Sequence, residues 1–529
     1  MAQGTEHDSA EIKGALGSIS AHAPGEQRSL RHRLLTLLAI LGPGLIVMVG
    51  DNDAGGVSTY AQAGQDYGLS LLWVLPLLIP VLFVNQEMVV RLGAVTGMGH
   101  ARLIAERFGQ RWARFAVGEI ALLNFLTIAT EFIGISLSLE YFGVSPYLSV
   151  PVAAVTLVAI TSTGSFQRWE RFMFLFVFAN FLIVPLLLLS HPSAGQFWHH
   201  ATVPGVRGGW SGHAVLLVIA IVGTTVAPWQ LFFQQSTVVD KRITTRWINY
   251  ERIDTGLGSM VTWLAASAIV ATVGVAFMGT AGLGHYGDAL GVARGLAEHV
   301  GHGAGAIFAI VLLNASAIGA ASVTLSTTYA VADLTGQKTS LNRGFRDAPR
   351  FYGSFAVLVA LAAGLVLIPS APLGLITTSV QALAGIVLPT TTVMLLLLCN
   401  DLEVLGPWAN RSWLNAVASA IVSVLVALSA TLMLTTALPN ANPTYTFLAV
   451  AGVLAVGWVV GWSWALVTRS EHRRPGFDGD KMAWRMPPAA LLDAPQLSRS
   501  RRFLLRAMVA YTALAAVLLI VRAVQLATS

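Results

Sequence analysis

The chain has 529 residues, of which 55% are hydrophobic and 11% charged, against about 25% charged in soluble domains. That balance excludes a soluble globular core and describes a polytopic membrane protein. The net charge of +6 follows membrane topology rather than a nucleic-acid-binding patch, and a single cysteine, Cys399, excludes an intrachain disulfide framework.

In chain order, residues 1–35 are polar, with Gly, Ser and His and no apolar signal core. They are expected to be a disordered cytoplasmic tail. Apolar runs long enough to cross about 30 Å of hydrocarbon then fall near 36–66, 70–93, 113–139, 143–162, 170–190, 213–239, 256–279, 303–333, 352–370, 373–399, 412–436, 444–467 and 503–525. The last, flanked by Arg506 and Arg522, is the weakest of the candidate spans. With the amino terminus inside, every Lys and Arg except Arg207, Arg294 and Arg522 falls in an inner segment or a helix end beside one. This predicts a cytoplasmic amino terminus and a multi-pass protein of the cell membrane, with the bacterial inner membrane as the expected location. Residues 468–502 read as a cytoplasmic loop, and the segments 191–212 and 280–302 as caps on an external vestibule.

Two spans break in the middle. The first break reads Gly50-Asp51-Asn52-Asp53-Ala54-Gly55-Gly56, the second Val226-Ala227-Pro228-Trp229-Gln230. Carboxylates inside hydrocarbon are costly and mark a functional site, and Gly- or Pro-interrupted spans in corresponding halves of a transporter mark a midplane binding site. Val49-Gly50 and Val222-Gly223 precede the two breaks, which lie in spans one and six. A separation of five spans predicts two five-span units of opposite orientation, 36–190 and 213–400, followed by additional helices over 412–467 and a possible terminal helix over 503–525.

Several segments together resemble the NRAMP divalent-metal transporters: Gly42-Pro43-Gly44, Asp53-Ala54-Gly55-Gly56, Gln62-Ala63-Gly64, Leu71-Leu72-Trp73-Val74-Leu75, Arg91-Leu92-Gly93, Val95-Thr96-Gly97, Glu131-Phe132-Ile133-Gly134, Arg252-Ile253-Asp254-Thr255, and Gln381 with Pro389. The resemblance runs over roughly residues 36–435. It implies the leucine-transporter fold, with inverted repeats and broken helices one and six, and alternating access. It also implies that a metal ion is the transported substrate and that the chain holds no cofactor and is no enzyme.

The departures from that family have a common direction. Its first-break motif is Asp-Pro-Gly-Asn; here Ala54 and Gly56 replace the Pro and Asn. Its second-break motif is Met-Pro-His; here Ala227 and Trp229 flank Pro228. A second family His is Gln234, and an Asp three residues before Glu131 is Ile128. Losing the thioether removes a soft ligand suited to late transition metals. Losing the Asn side chain is expected to open space for a hydrated ion, and Mg²⁺ keeps its waters. The pattern resembles the NRAMP-related magnesium transporters. It implies Asp53, Gly56, Ala227 (through its backbone carbonyl), Gln381 and Asp51 as metal-site residues, with Thr225, Trp229 and Gln230 as pocket walls. Glu131 reads as a structural acid or the remnant of a proton route. With no titratable group at Ile128, Trp229 and Gln234, transport of Mg²⁺, and of Mn²⁺ as well, is expected to run without proton coupling. The expected partners are the divalent ion and the lipid bilayer, with no nucleic acid, and the chain is expected to act as a monomer.

Other readings weigh less. A proton-coupled Mn²⁺/Fe²⁺ transporter wants the missing Met and His, and a sodium-coupled symporter of an organic solute would not need the NRAMP segments. A membrane enzyme lacks any nucleophile elbow, HExxH or P-loop here. Asn180 and Asn314 read as helix-joining residues, Gln86-Glu87 as a pair near the inner end of span two, and the His residues of the outer segments as loop histidines.

Overall fold

The structure is a computed structural model that describes residues 11–20, 30–162, 165–336, 341, 346–369, 371–438, 440–467, 480–492 and 498–528. It is built almost wholly of helices. Ten described helices are long and apolar enough to cross a membrane, and a bent pair at the start makes an eleventh. The protein is a multi-pass membrane protein.

Span one consists of α1 (Leu30–Ile40), α2 (Pro43–Gly50) and α3 (Ala54–Tyr67). A bend of 50° separates α1 from α2, at Gly42, whose φ of 155° favours glycine. Span two is α4 (Val74–Thr96), followed by the short α5 (His100–Phe108). Spans three and four are α6 (Gln110–Tyr141) and α7 (Pro146–Thr161), and span five is α8 (Phe166–Ala179) continued by α9 (Ile183–Leu189). After α10 (Ala194–Thr202) comes the second unit: α11 (Gly212–Thr225) and α12 (Pro228–Asp240) as span six, α13 (Ile248–Phe277), then α14 (Ala289–His299) outside the span series, α15 (His302–Thr335), α16 (Pro349–Val366) and α17 (Leu373–Cys399). A short α18 (Leu402–Leu405) leads to α19 (Ser412–Ala437), α20 (Pro443–Val467) and α21 (Arg499–Thr528). The terminal helix, the weakest sequence candidate, holds a stretch long and apolar enough to span, and it packs on α17 through Thr390 and Thr512, whose hydroxyls lie 2.8 Å apart.

The centre of the molecule is where the broken spans meet their supports. α13 lies against α2, α3 and α4, α15 against α6, and α11 against α17. Close approach of α11 and α17 requires glycine at Gly223 and Gly385. A Cβ at Gly385 would stand 2.5 Å from the Ile219 carbonyl oxygen, and one at Gly223 would overlap the α17 backbone at Gln381.

The described part of the segment read as a tail departs from that expectation, while residues 1–10 and 21–29 lie outside the described residues. Residues Glu11–Gly14 (β1) and Gly17–Ser20 (β2) pair as an antiparallel hairpin, and residues 30–35 already belong to α1. Ile12 is fully buried, which accounts for the order: a short strand pair needs an apolar surface to lie on. The loop read over 468–502 is likewise fastened in its described part. Trp408 Nε1 donates to the Lys481 carbonyl at 2.9 Å, Thr245 Oγ1 to that of Met482 at 2.6 Å, and the Lys481 ammonium sits 4.2 Å over the Trp408 ring.

On the opposite face, the connecting segments fold over the end of α3. Gln65 Nε2 donates to the carbonyls of Gly282 (3.0 Å) and His285 (3.2 Å), and Arg207 N–H to Ser70 Oγ. A cavity of about 480 Å³ opens there, lined in part by Tyr67, Ser70, His199, His200 and Arg207. Burial first, and His199 second, hold the His200 imidazole below its ordinary pKa.

Candidate functional site

The two breaks face each other. α2 ends at Gly50, and α3 restarts at Ala54 with Asp53 as its N-cap, Oδ1 accepting from the Gly56 N–H at 2.7 Å. An aspartate is a favoured N-cap because its carboxylate satisfies the orphan N–H groups of the first turn. Span six unwinds at Val226 and Ala227, and Pro228 opens α12, where its missing N–H costs nothing.

The residues expected at the site converge. Asp53 is 1% exposed and Asp51 is fully buried, with no hydrogen-bond partner at either carboxylate oxygen. Gln381 reaches the break from α17: its side chain covers Gly55, leaving no room there for a Cβ, and its Nε2 is buried without a partner. Trp229 walls the break from α12. A Cβ at Gly50 would meet its ring at 3.2 Å, and its own carbonyl accepts from Ser326 Oγ at 2.7 Å. Thr225 Oγ1 lies 2.7 Å from Tyr60 Oη, tying α11 to α3. Gln230 Oε1 accepts from Gln86 Nε2 at 2.7 Å, tying α12 to α4.

Glu131 is part of the same cluster. Its Oε2 accepts from the Ala54 N–H at 3.0 Å, while Oε1 is buried without a partner. α15 comes close enough that a Cβ at Gly319 would stand 2.8 Å from Asp53 Cβ and would overlap the Glu131 carboxylate. Three carboxylates thus share one buried place, and the described ion pairs include none of them. Such a cluster is stable with bound cation or protons.

Two expectations need correcting. Gly56 does not open space: a Cβ there would stand 2.6 Å from the Asp51 carbonyl oxygen and 3.1 Å from Thr224 Oγ1. The room of the absent side chain is filled by neighbouring oxygens, and Gly56 serves as the donor that caps Asp53. Nor is the Ala227 carbonyl the one freed by the break, since it accepts from the Gln230 N–H at 3.2 Å. The donor that a proline lacks would have served the carbonyl four residues back along the chain, so Pro228 frees the carbonyl of Thr224.

Some residues at the break carry no sequence signal. Asn52 Oδ1 is buried there without a partner, and Thr224 Oγ1 is buried beside the Asp53 carboxylate. Tyr60 lies seven residues, about two helical turns, beyond Asp53 on α3, and that spacing is the one available clue. Asn314 joins α15 to α8 through the Phe176 carbonyl at 2.9 Å, and Glu87 pairs with Arg252 at 2.6 Å and Arg91 at 3.2 Å.

Known proteins share this architecture. The chain is 24% identical over 421 residues to the divalent metal cation transporter MntH of Klebsiella pneumoniae strain 342, covering 76% of this chain and 96% of that protein. It is 27% identical over 425 residues to the MntH of Burkholderia ambifaria, covering 76% and 90%. Among solved structures, the manganese transporter of Eremococcus coleocola superposes with a TM-score of 0.63 at 18% identity, covering 83% of this chain and 96% of that one. The nucleobase-cation symporter Mhp1 superposes at 0.50 with 16% identity, over 81% and 93%. These likenesses give the chain the leucine-transporter fold. A family model described as natural resistance-associated macrophage protein-like matches residues 44–435, and with both breaks, their carboxylates and their supporting helices inside that range, the chain belongs to the Nramp family, whose members are transporters rather than enzymes.

Proposed function

We propose that the protein carries hard divalent cations, Mg²⁺ first and Mn²⁺ as well, across the bacterial inner membrane by alternating access between the two breaks. Asp53 is the central ligand. The observation that carries this reading is the cluster of oxygens at the break: Asp53 and Asp51 bring carboxylates, Asn52 an amide oxygen and Thr224 a hydroxyl. Position 227, where a thioether would add a soft ligand, holds Ala. Carboxylate, carbonyl and water suit Mg²⁺, Ca²⁺ and Mn²⁺, whereas softer ions favour sulfur and imidazole. The named relatives, described as divalent metal cation and manganese transporters, support the coarser part of this reading. The metal is cargo, and no resident cofactor takes part. The chain acts as a monomer with its amino terminus in the cytoplasm.

Transport in this reading is driven by the membrane potential, about 4.6 kcal/mol for a divalent ion at 100 mV. Glu131 serves as a cap on α3 rather than a proton carrier. A proton-coupled mechanism is the second reading, and its specific support is the unpartnered Glu131 Oε1 beside Asp53. The test is uptake into proteoliposomes of Mg²⁺, Mn²⁺ and Ca²⁺ at a fixed imposed potential, with internal pH followed throughout. Mg²⁺ uptake competed by Mn²⁺ without internal acidification agrees with the proposal. Mn²⁺ uptake that excludes Mg²⁺ contradicts its selectivity.

A further inference from the structure

The hairpin β1–β2 is seated at the amino-terminal end of span one, where it packs on α1 and α8. The Ala15 N–H donates to Glu170 Oε2 of α8 at 2.6 Å. Gln167 Nε2 donates to the Gly14 carbonyl at 3.0 Å, and Arg171 Nε to that of Ala15 at 3.2 Å. Ile12 is fully buried beneath them. The other oxygen of Glu170 takes the Lys241 ammonium at 2.7 Å, just past the end of α12. That ammonium also donates to the carbonyls of Ile40 (2.8 Å) and Leu41 (3.1 Å), at the bend between α1 and α2. The backbone is fitted to this arrangement. A Cβ at Gly14 would overlap the Ala39 carbonyl oxygen, and one at Gly42 would overlap Glu170 Oε1.

We propose that this hairpin is a latch on the amino-terminal-side exit of the cargo path. Asp53 and Ala227 are buried, so solvent does not reach either residue. α1 and α2 form the half of span one that lies between Asp53 and the amino-terminal face. An exit on that side requires them to part from α8, α12 and α13. Asp254 of α13 holds the start of α2 through the N–H groups of Gly42 (3.2 Å), Gly44 (2.7 Å) and Leu45 (3.1 Å), an anionic cap on a helix amino terminus. Lys241 holds the end of α1. The hairpin closes the set from outside the spans: it packs on α1 and fixes Glu170, which in turn orients Lys241. It is the fastening most exposed to change from solution, because a two-stranded hairpin is marginal without the surface it lies on. Lifting it frees Glu170 and Lys241 from one of their constraints and shifts the population toward the state open on that side.

The experiment reads access rather than transport, so it does not depend on which ion is carried. In a Cys399→Ala background, Ala227→Cys places one thiol at the second break. Its labelling by a membrane-impermeant thiol reagent is timed from each side of the membrane. Removal of residues 1–20, and separately Gly14→Val, are expected to speed labelling from the amino-terminal side by roughly tenfold, the change a few lost hydrogen bonds produce in a two-state equilibrium. Labelling from the other side is expected to stay unchanged or to slow. Should Gly14→Val fail to yield folded protein, the truncated chain decides alone. Unchanged labelling from the amino-terminal side, or equal acceleration from both sides, overturns the latch.

Discussion

Asp53 combines two roles that a single carboxylate can serve. One oxygen caps α3 through the Gly56 N–H, and the charge faces a break with no basic partner among the described ion pairs. Asp53→Asn keeps an acceptor for the cap and removes the charge. It is expected to leave the protein folded and to abolish Mg²⁺ binding in calorimetry. Ala227→Met adds a thioether beside the oxygens and is expected to shift uptake in competition assays from Mg²⁺ toward Mn²⁺ and Cd²⁺; an unchanged ratio places position 227 away from the cargo. Thr224→Val keeps the shape and deletes the buried hydroxyl at the break. The expectation is a roughly tenfold weaker apparent affinity for Mg²⁺, about the worth of one hydrogen bond to a charged group or its hydration shell, with near-normal thermal stability. The burial of Asp51 and Asp53 at the first break was legible in the sequence because a carboxylate in an apolar run is costly. Thr224 and Asn52 were not: hydroxyls in membrane helices usually bond their own backbone, as Thr225 does to the Ile221 carbonyl at 2.7 Å.

At the scale of elements, most of the thirteen expected spans were legible because lipid imposes a length and a composition on anything that crosses it, while Pro146–Thr161 and Pro443–Val459 are only shorter apolar helices. Each apolar run became a helix or a pair of half-helices, including the short α7 and the terminal α21. Hidden from the sequence were fastenings between distant segments. Nothing local in Glu11–Ser20 announces a hairpin, because its support comes from α1 and α8. Glu170 and Lys241 are 71 residues apart, yet they form an ion pair closed off from solvent. Such a pair is expensive to break from one side, since the remaining charge stays buried. The glycines at the α11–α17 contact make a testable claim about packing. Gly223→Val drives a branched side chain into the backbone of α17 and is expected to cost about 1–3 kcal/mol, read as a lowered unfolding temperature in detergent. Gly353, whose Cβ would meet nothing within 4 Å, supplies the control: Gly353→Ala is expected to leave that temperature unchanged or to raise it.

At the scale of the whole molecule, two opposed five-span units hold a buried cluster of Asp51, Asp53 and Glu131 between two breaks, with three further helices packed outside. In the proposed reading, Glu131 is the residue that tests whether protons move with the metal. In the uncoupled account Glu131→Gln retains an acceptor for the Ala54 N–H, so uptake persists and internal pH stays flat in both proteins. Metal-driven acidification that disappears in the variant makes Glu131 the proton carrier. The central claim is that the carboxylate at the first break carries Mg²⁺. Its most direct test is the potential-driven uptake of Mg²⁺ into liposomes holding either the parent protein or Asp53→Ala, matched for folded protein. The account predicts saturable uptake by the parent, inhibited by Mn²⁺, and none above empty liposomes for the variant. Near-parental Mg²⁺ uptake by Asp53→Ala contradicts it.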